Sequence, residues 1–131
     1  MRYDMSTLKR GQKEIMESKL TPVKNHYPDR DYEINITLPE FTCRCPISGY
    51  PDFAAIHVTY IPDKLIIELK SLKLYINKFR ETEMFHEETV NRILDDLVET
   101  VSPRWMRVTG DFNPRGNVKT VVKAEFSKDN D

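Results

Sequence analysis

Two pairs of alternating apolar segments flank a central stretch with helical spacing, and this order limits the fold more than any other feature. Tyr32, Ile34, Ile36 and Leu38 alternate with polar residues, the period of a half-buried strand that Pro39 is expected to end. Residues 53–61 predict a second strand, with Ala54, Ile56, Val58 and Tyr60 on one face and Phe53, Ala55, His57 and Thr59 on the other. Pro62-Asp63-Lys64 makes a turn, and the spacing then becomes helical. Leu72, Tyr75, Ile76 and Phe79 form one stripe. Val90, Ile93, Leu94, Leu97, Val98 and Val101 form a stronger one that runs to Ser102-Pro103. Residues 80–85 read as a polar bend between the helices. Residues 105–112 and 118–126 predict two more strands, joined by the hairpin turn Asn113-Pro114-Arg115-Gly116-Asn117.

The order is therefore strand, strand, helix, helix, strand, strand. Hairpins at both ends favour a four-stranded antiparallel sheet with both helices on one face, an α+β domain. Such a sheet leaves two open edges, a liability met by pairing with neighbours or by closing a barrel between subunits. Residues 1–27 are polar, with only scattered Leu20, Val23 and Tyr27, and read as a tail or a short helix closing at Pro22. Residues 28–131 form the expected catalytic domain.

A chain of 131 residues makes one domain that buries roughly 70% of its unfolded surface. Its 20 basic and 21 acidic residues leave a net charge of −1, so no bulk field draws it to nucleic acid or to a membrane surface. No apolar stretch approaches the roughly 20 residues that span a bilayer, and the first residues lack the apolar centre of a signal peptide. Cys43 and Cys45, one residue apart, would make a strained bridge. Reduced thiols and a cytoplasmic location are expected.

The chemistry concentrates in Phe41-Thr42-Cys43-Arg44-Cys45-Pro46-Ile47-Ser48-Gly49-Tyr50-Pro51-Asp52-Phe53. A thiol is a strong nucleophile as the thiolate, and Asp52 lies across a turn able to fold it back toward Cys45. Lys70 and Lys73 stand at i, i+3 and share one helix face, a possible phosphate grip or an ordinary solvated surface. His86 and Glu87 open the second helix, where an acidic residue is also favoured by the helix dipole. Taken alone, Cys45 better suits a small buried apolar position, and Asp52 a turn or cap.

Four anchors in order change that balance: Cys45-Pro46 with Pro51-Asp52-Phe53, then Glu68-Leu69-Lys70-Ser71-Leu72-Lys73-Leu74-Tyr75, Phe85-His86-Glu87, and Pro114-Arg115-Gly116. Across residues 28–127 the chain resembles the NADPH-dependent 7-cyano-7-deazaguanine reductases, the nitrile reductases of queuosine biosynthesis, in their short single-module form. The resemblance implies the tunnelling fold, in which the sheets of several subunits join into a barrel and active sites form at subunit interfaces of a homo-oligomer. It implies that Cys45 attacks the nitrile of a small deazapurine, that Asp52 serves as general acid, and that His86 positions or relays a proton. Glu87 would bind the purine-like ring, with Glu68 and Ser71 framing the substrate. Lys70, Lys73, Arg115 and Gly116 would hold NADPH. No Gly-rich dinucleotide fingerprint exists among only four glycines, so NADPH would bind outside a doubly wound fold. Leu69 stands where a small polar residue is also common in that family, and Cys43 is an additional thiol. No resident metal and no direct nucleic-acid contact is implied.

Two other readings use the same residues. A zinc-dependent cyclohydrolase of the same fold would draw on Cys43, Cys45 and His86, at an unusual ligand spacing. A non-enzymatic relative would keep the purine pocket and lose the nucleophile.

Overall fold

The computed structural model describes residues 8–128. Its centre is a four-stranded antiparallel sheet in the order β2-β3-β5-β6, formed by Ile34–Arg44, Pro51–Ile61, Trp105–Arg115 and Val118–Ser127. A smaller two-stranded sheet pairs β1 (Pro22–Lys24) with β4 (Leu65–Ile67). Among the described residues three helices complete the fold: α1 (Arg10–Glu17), α2 (Leu69–Asn77), which runs on into the 3-10 turn Lys78–Glu81, and α3 (His86–Val101).

The predicted alternation holds on β3, where Ala54, Ile56, Val58 and Tyr60 are buried while Phe53 and His57 are exposed. Met106, Val108 and Phe112 of β5 continue that inner face. Both helical stripes pack on it. Leu72, Tyr75, Ile76 and Phe79 are buried, as are Val90, Ile93, Leu94, Leu97 and Val101, and all belong to one core. Phe41, Phe79, Tyr75 and Phe112 form its aromatic centre, with Phe41 edge-on to Phe112 at 6.5 Å. Tyr75 also donates to Asp96 Oδ2 at 2.6 Å, tying α2 to α3.

Three local features differ from the sequence expectation. Strand β2 does not stop at Pro39; it continues to Arg44, with an irregularity between Leu38 and Phe41. A bulge on an edge strand is where a sheet tolerates a proline, because the missing N–H has no ladder partner to lose. The N-terminal helix ends at Glu17, well before Pro22, and Pro22–Lys24 is a strand. Three residues are too few to carry a periodicity, and β4 is equally short. The β5–β6 hairpin is also tighter than five residues. Arg115 and Val118 are register partners, and the two turn residues, Gly116 at φ 55° and Asn117 at φ 70°, both have the positive φ of a type I′ turn.

Candidate active site

The β2–β3 hairpin builds the first part of the site. Cys43 and Asp52 are register partners, which places both at the end of the ladder. Beyond it, the Cys45 N–H donates to the Tyr50 carbonyl at 2.9 Å, and the Gly49 N–H donates to the Cys45 carbonyl at 2.9 Å. Cys45 therefore sits on a closed turn, half-buried and facing outward. The Ser48 N–H, the Ser48 hydroxyl and the Ile47 N–H hydrogen-bond its sulfur and hold the thiol below its ordinary pKa of 9.0, against burial and the Asp52 charge. Cys43 is the opposite case. It is fully buried in the core, and loss of solvent pushes its pKa up to about 11.

The second part arrives through the backbone of Arg44. Its N–H donates to the Thr82 carbonyl and its carbonyl accepts from the Met84 N–H, both at 2.9 Å, a short parallel bridge alongside β2. That bridge delivers Phe85, His86 and Glu87 beside the cysteine turn. His86 and Glu87 are the first residues of α3, with Phe85 at its N-cap. The third part is Arg115, from the end of β5 at the type I′ turn.

These pieces enclose a cleft of about 290 Å³ lined by Cys45, Pro46, Ser48, Asp52, Phe85, His86, Glu87 and Arg115. Asp52 is its buried centre, 4% exposed. Asp52 Oδ1 accepts from Arg115 Nη1, and Oδ2 lies 3.2 Å from His86 Nε2. The His86 ring is stacked on Phe112, and the Arg115 guanidinium lies 5.7 Å from the centre of the Tyr50 ring. The hydrogen bond to Asp52 raises the pKa of Arg115 above its ordinary value, with the charge of Asp52 adding to it.

Of the residues singled out from sequence, Cys45, Asp52, His86, Glu87 and Arg115 meet in this cleft, and Gly116 adjoins it in the turn. The Glu68-to-Lys73 segment does not line it. Glu68 caps α2, accepting from the Lys70 N–H at 2.6 Å and the Ser71 N–H at 2.9 Å. Ser71 is buried; its hydroxyl donates to the Glu68 carbonyl and accepts from the Thr21 N–H. Lys70 and Lys73 are exposed on α2, Lys70 lying 3.9 Å from Glu14 of α1. Among the described residues no group of three His, Cys, Asp or Glu side chains is placed to hold a metal ion, and Cys43 turns into the core toward the Met84 carbonyl. Sequence reasoning missed Ser48, Tyr50 and Phe112. No spacing marks them, since each acts by touching a functional side chain in three dimensions.

The fold and cleft define an α+β protein with a thiol of lowered pKa near a buried carboxylate that contacts a half-buried imidazole. A family model described as "QueF-like protein" matches residues 51–131. The chain is 53% identical to the NADPH-dependent 7-cyano-7-deazaguanine reductase of Microcystis aeruginosa (strain NIES-843 / IAM M-2473), covering 93% of each protein. It is 51% identical to the enzyme of that name from Synechocystis sp. (strain ATCC 27184 / PCC 6803 / Kazusa), covering 92% of this chain and 88% of that one. Among solved structures, the archaeosine synthase QueF-Like in its apo form superposes with a TM-score of 0.67 at 26% identity, covering 71% of this chain and 91% of that one. The chain belongs to the QueF-like protein family.

Proposed function

We infer that this chain is an NADPH-dependent 7-cyano-7-deazaguanine reductase, an enzyme of queuosine biosynthesis that reduces the nitrile to 7-aminomethyl-7-deazaguanine. The observation that carries the reading on this chain itself is the meeting of a lowered-pKa Cys45 with Asp52 and His86 in one cleft.

The reaction adds two hydrides and two protons across the carbon–nitrogen triple bond. The Cys45 thiolate adds to the nitrile carbon; a C–S bond forms, one C–N π bond opens, and the nitrogen takes a proton from the Asp52–His86 pair, giving a thioimide. Two NADPH, bound in turn, would each supply one hydride to that carbon, and the nitrogen takes its second proton from the same Asp52–His86 pair. Between the two additions the C–S bond breaks, the sulfur leaves as thiolate, and an imine remains to be shielded from water. The Glu87 carboxylate, exposed at the lip of the cleft, suits a ring N–H and an exocyclic amine together.

The exposed ammonium groups of Lys70 and Lys73 on one face of α2 suit the phosphates of NADPH, and the turn at Arg115 and Gly116 adds a cation. Because α2 lies outside its own chain's cleft, a homo-oligomer would bring a neighbour's Glu68, Lys70, Ser71 and Lys73 to it. The open edges of β2 and β6 support that assembly as a tunnelling fold with an intersubunit barrel, as do exposed Ile47, Tyr50, Phe85 and Val121. No helix among the described residues is long and apolar enough to cross a membrane. Two unpaired thiols suit the cytoplasm.

The test is intact-mass measurement of wild type and Cys45→Ala mixed with 7-cyano-7-deazaguanine and no NADPH. The wild type gains one substrate mass, the variant none, and added NADPH discharges the adduct to the amine. An adduct that survives in Cys45→Ala removes Cys45 as nucleophile.

A further inference from the structure

We propose that Arg115 is a positioning residue for the proton transfer: it holds the Asp52 carboxylate by one oxygen so that the other stays presented to His86. This rests on the nitrile-reductase reading of the cleft and reassigns Arg115 within it. A role limited to cofactor phosphate would leave the guanidinium facing solvent until the cofactor arrives. Instead it is already engaged on a carboxylate that is almost wholly buried.

The two oxygens of Asp52 are divided between different partners. Oδ1 takes the Arg115 Nη1–H, and Oδ2 faces His86 Nε2 at 3.2 Å. A buried carboxylate with one oxygen free would rotate about its terminal torsion and lose the imidazole. The arginine removes that freedom. It is itself held, because Tyr50 lies against the guanidinium at 5.7 Å and the type I′ turn at Gly116-Asn117 fixes the end of β5 from which it projects. His86 is held equally firmly by Phe112. Arg115, Asp52 and His86 thus form a line of three groups, each with one orientation, ending in the cleft that Cys45 lines.

The arrangement also sets charge. A permanent guanidinium in the same cleft as Cys45 favours the thiolate. Removing it therefore moves the thiol limb of a rate–pH profile toward higher pH.

The experiment measures the rate of adduct formation between the full chain and 7-cyano-7-deazaguanine, without NADPH, from pH 5 to 9. It compares wild type, Arg115→Gln and Arg115→Lys, with thermal melts of all three. The expected result is that Arg115→Gln slows adduct formation about tenfold, within the range general acid–base catalysis contributes. Its profile moves to higher pH, while Arg115→Lys keeps the wild-type profile and recovers part of the rate. Wild-type rate and profile in Arg115→Gln would overturn the proposal, including where the KM for NADPH rises, since that leaves only a phosphate contact. A loss of rate in both variants with an unmoved profile, or with a collapsed melt, would overturn it too and leave Arg115 a structural residue. A wild type that forms no adduct would instead overturn the nitrile-reductase reading, and this inference with it.

Discussion

His86 lies flat on Phe112, with ring centroids 3.7 Å apart and planes within 7°. Phe112 is fully buried on β5 and edge-on to Phe41, so the imidazole rests on the hydrophobic core itself. The core thereby does two jobs: it stabilises the sheet and it aims Nε2 at Asp52. A site built on a rigid element in this way keeps its geometry through packing as well as through the contact with Asp52.

Phe112→Leu separates these roles. The smaller side chain keeps the core apolar, and the loss in stability by urea unfolding is expected at about 1–2 kcal/mol. The imidazole loses its platform, so kcat falls, by less than the roughly 10²–10⁴-fold that general acid–base catalysis contributes. The KM for NADPH stays near the wild-type value. An unchanged kcat would mean that the ring is oriented by something other than Phe112.

The two thiols are expected to behave as opposites. At pH 7 iodoacetamide should alkylate Cys45 in the folded protein and leave Cys43 untouched, as peptide mapping would show. Ser48→Ala removes the hydroxyl hydrogen bond to the Cys45 sulfur and should move the pH midpoint of alkylation upward, toward 9.0. Cys43 has its own pH signature. Its folded pKa is raised to about 11, so between pH 9 and 11 the unfolded chain loses a proton that the folded one keeps. Stability falls as pH rises through that window, and Cys43→Ala removes this part of the decline.

Much of this architecture was legible because it rests on long periodic segments. The inner face of β3 and the stripes of α2 and α3 have enough residues for period to decide. The site was legible in part for a topological reason. Cys45 and Asp52 belong to one hairpin, so closeness in sequence became closeness in space. What escaped depended on contacts that no period records. Pro39 reads as a strand end unless β2 is known to be an edge, and β1 and β4 are each three residues long. Glu68 has the chemistry of a ligand-binding carboxylate, yet in its own chain it spends both oxygens on the backbone N–H groups of Lys70 and Ser71.

Asn25 shows that the polar N-terminal stretch is tied to the body of the protein. It is 2% exposed; its amide donates to the Asp63 carbonyl at 2.6 Å, and its Oδ1 accepts from the Tyr32 hydroxyl and the Tyr27 N–H. Asn25→Ala leaves these groups without partners and is expected to cost about 1–3 kcal/mol. A chain beginning at residue 28 should unfold at lower urea than one beginning at residue 20, because it also loses the pairing of β1 with β4. Equal midpoints would make residues 20–27 dispensable.

Gly110 couples packing to the site most directly. It lies on the inner face of β5 opposite α3, and a Cβ there would fall 2.6 Å from Val90 Cγ2 and 2.8 Å from Phe112 Cε2. Neither neighbour yields easily, since Val90 is a buried β-branched residue and Phe112 sits in the aromatic centre. Gly110→Ala therefore pushes α3 off the sheet or tilts Phe112, at an overpacking cost of about 1–3 kcal/mol, which lowers Tm by several degrees. Both escapes displace His86, because α3 carries it and Phe112 supports it. Activity should then fall together with Tm, while iodoacetamide still alkylates Cys45 at the wild-type rate, because the cysteine turn is built on β2 and β3. If Tm falls and kcat does not, the strain is absorbed toward the C-terminal end of α3, away from the histidine.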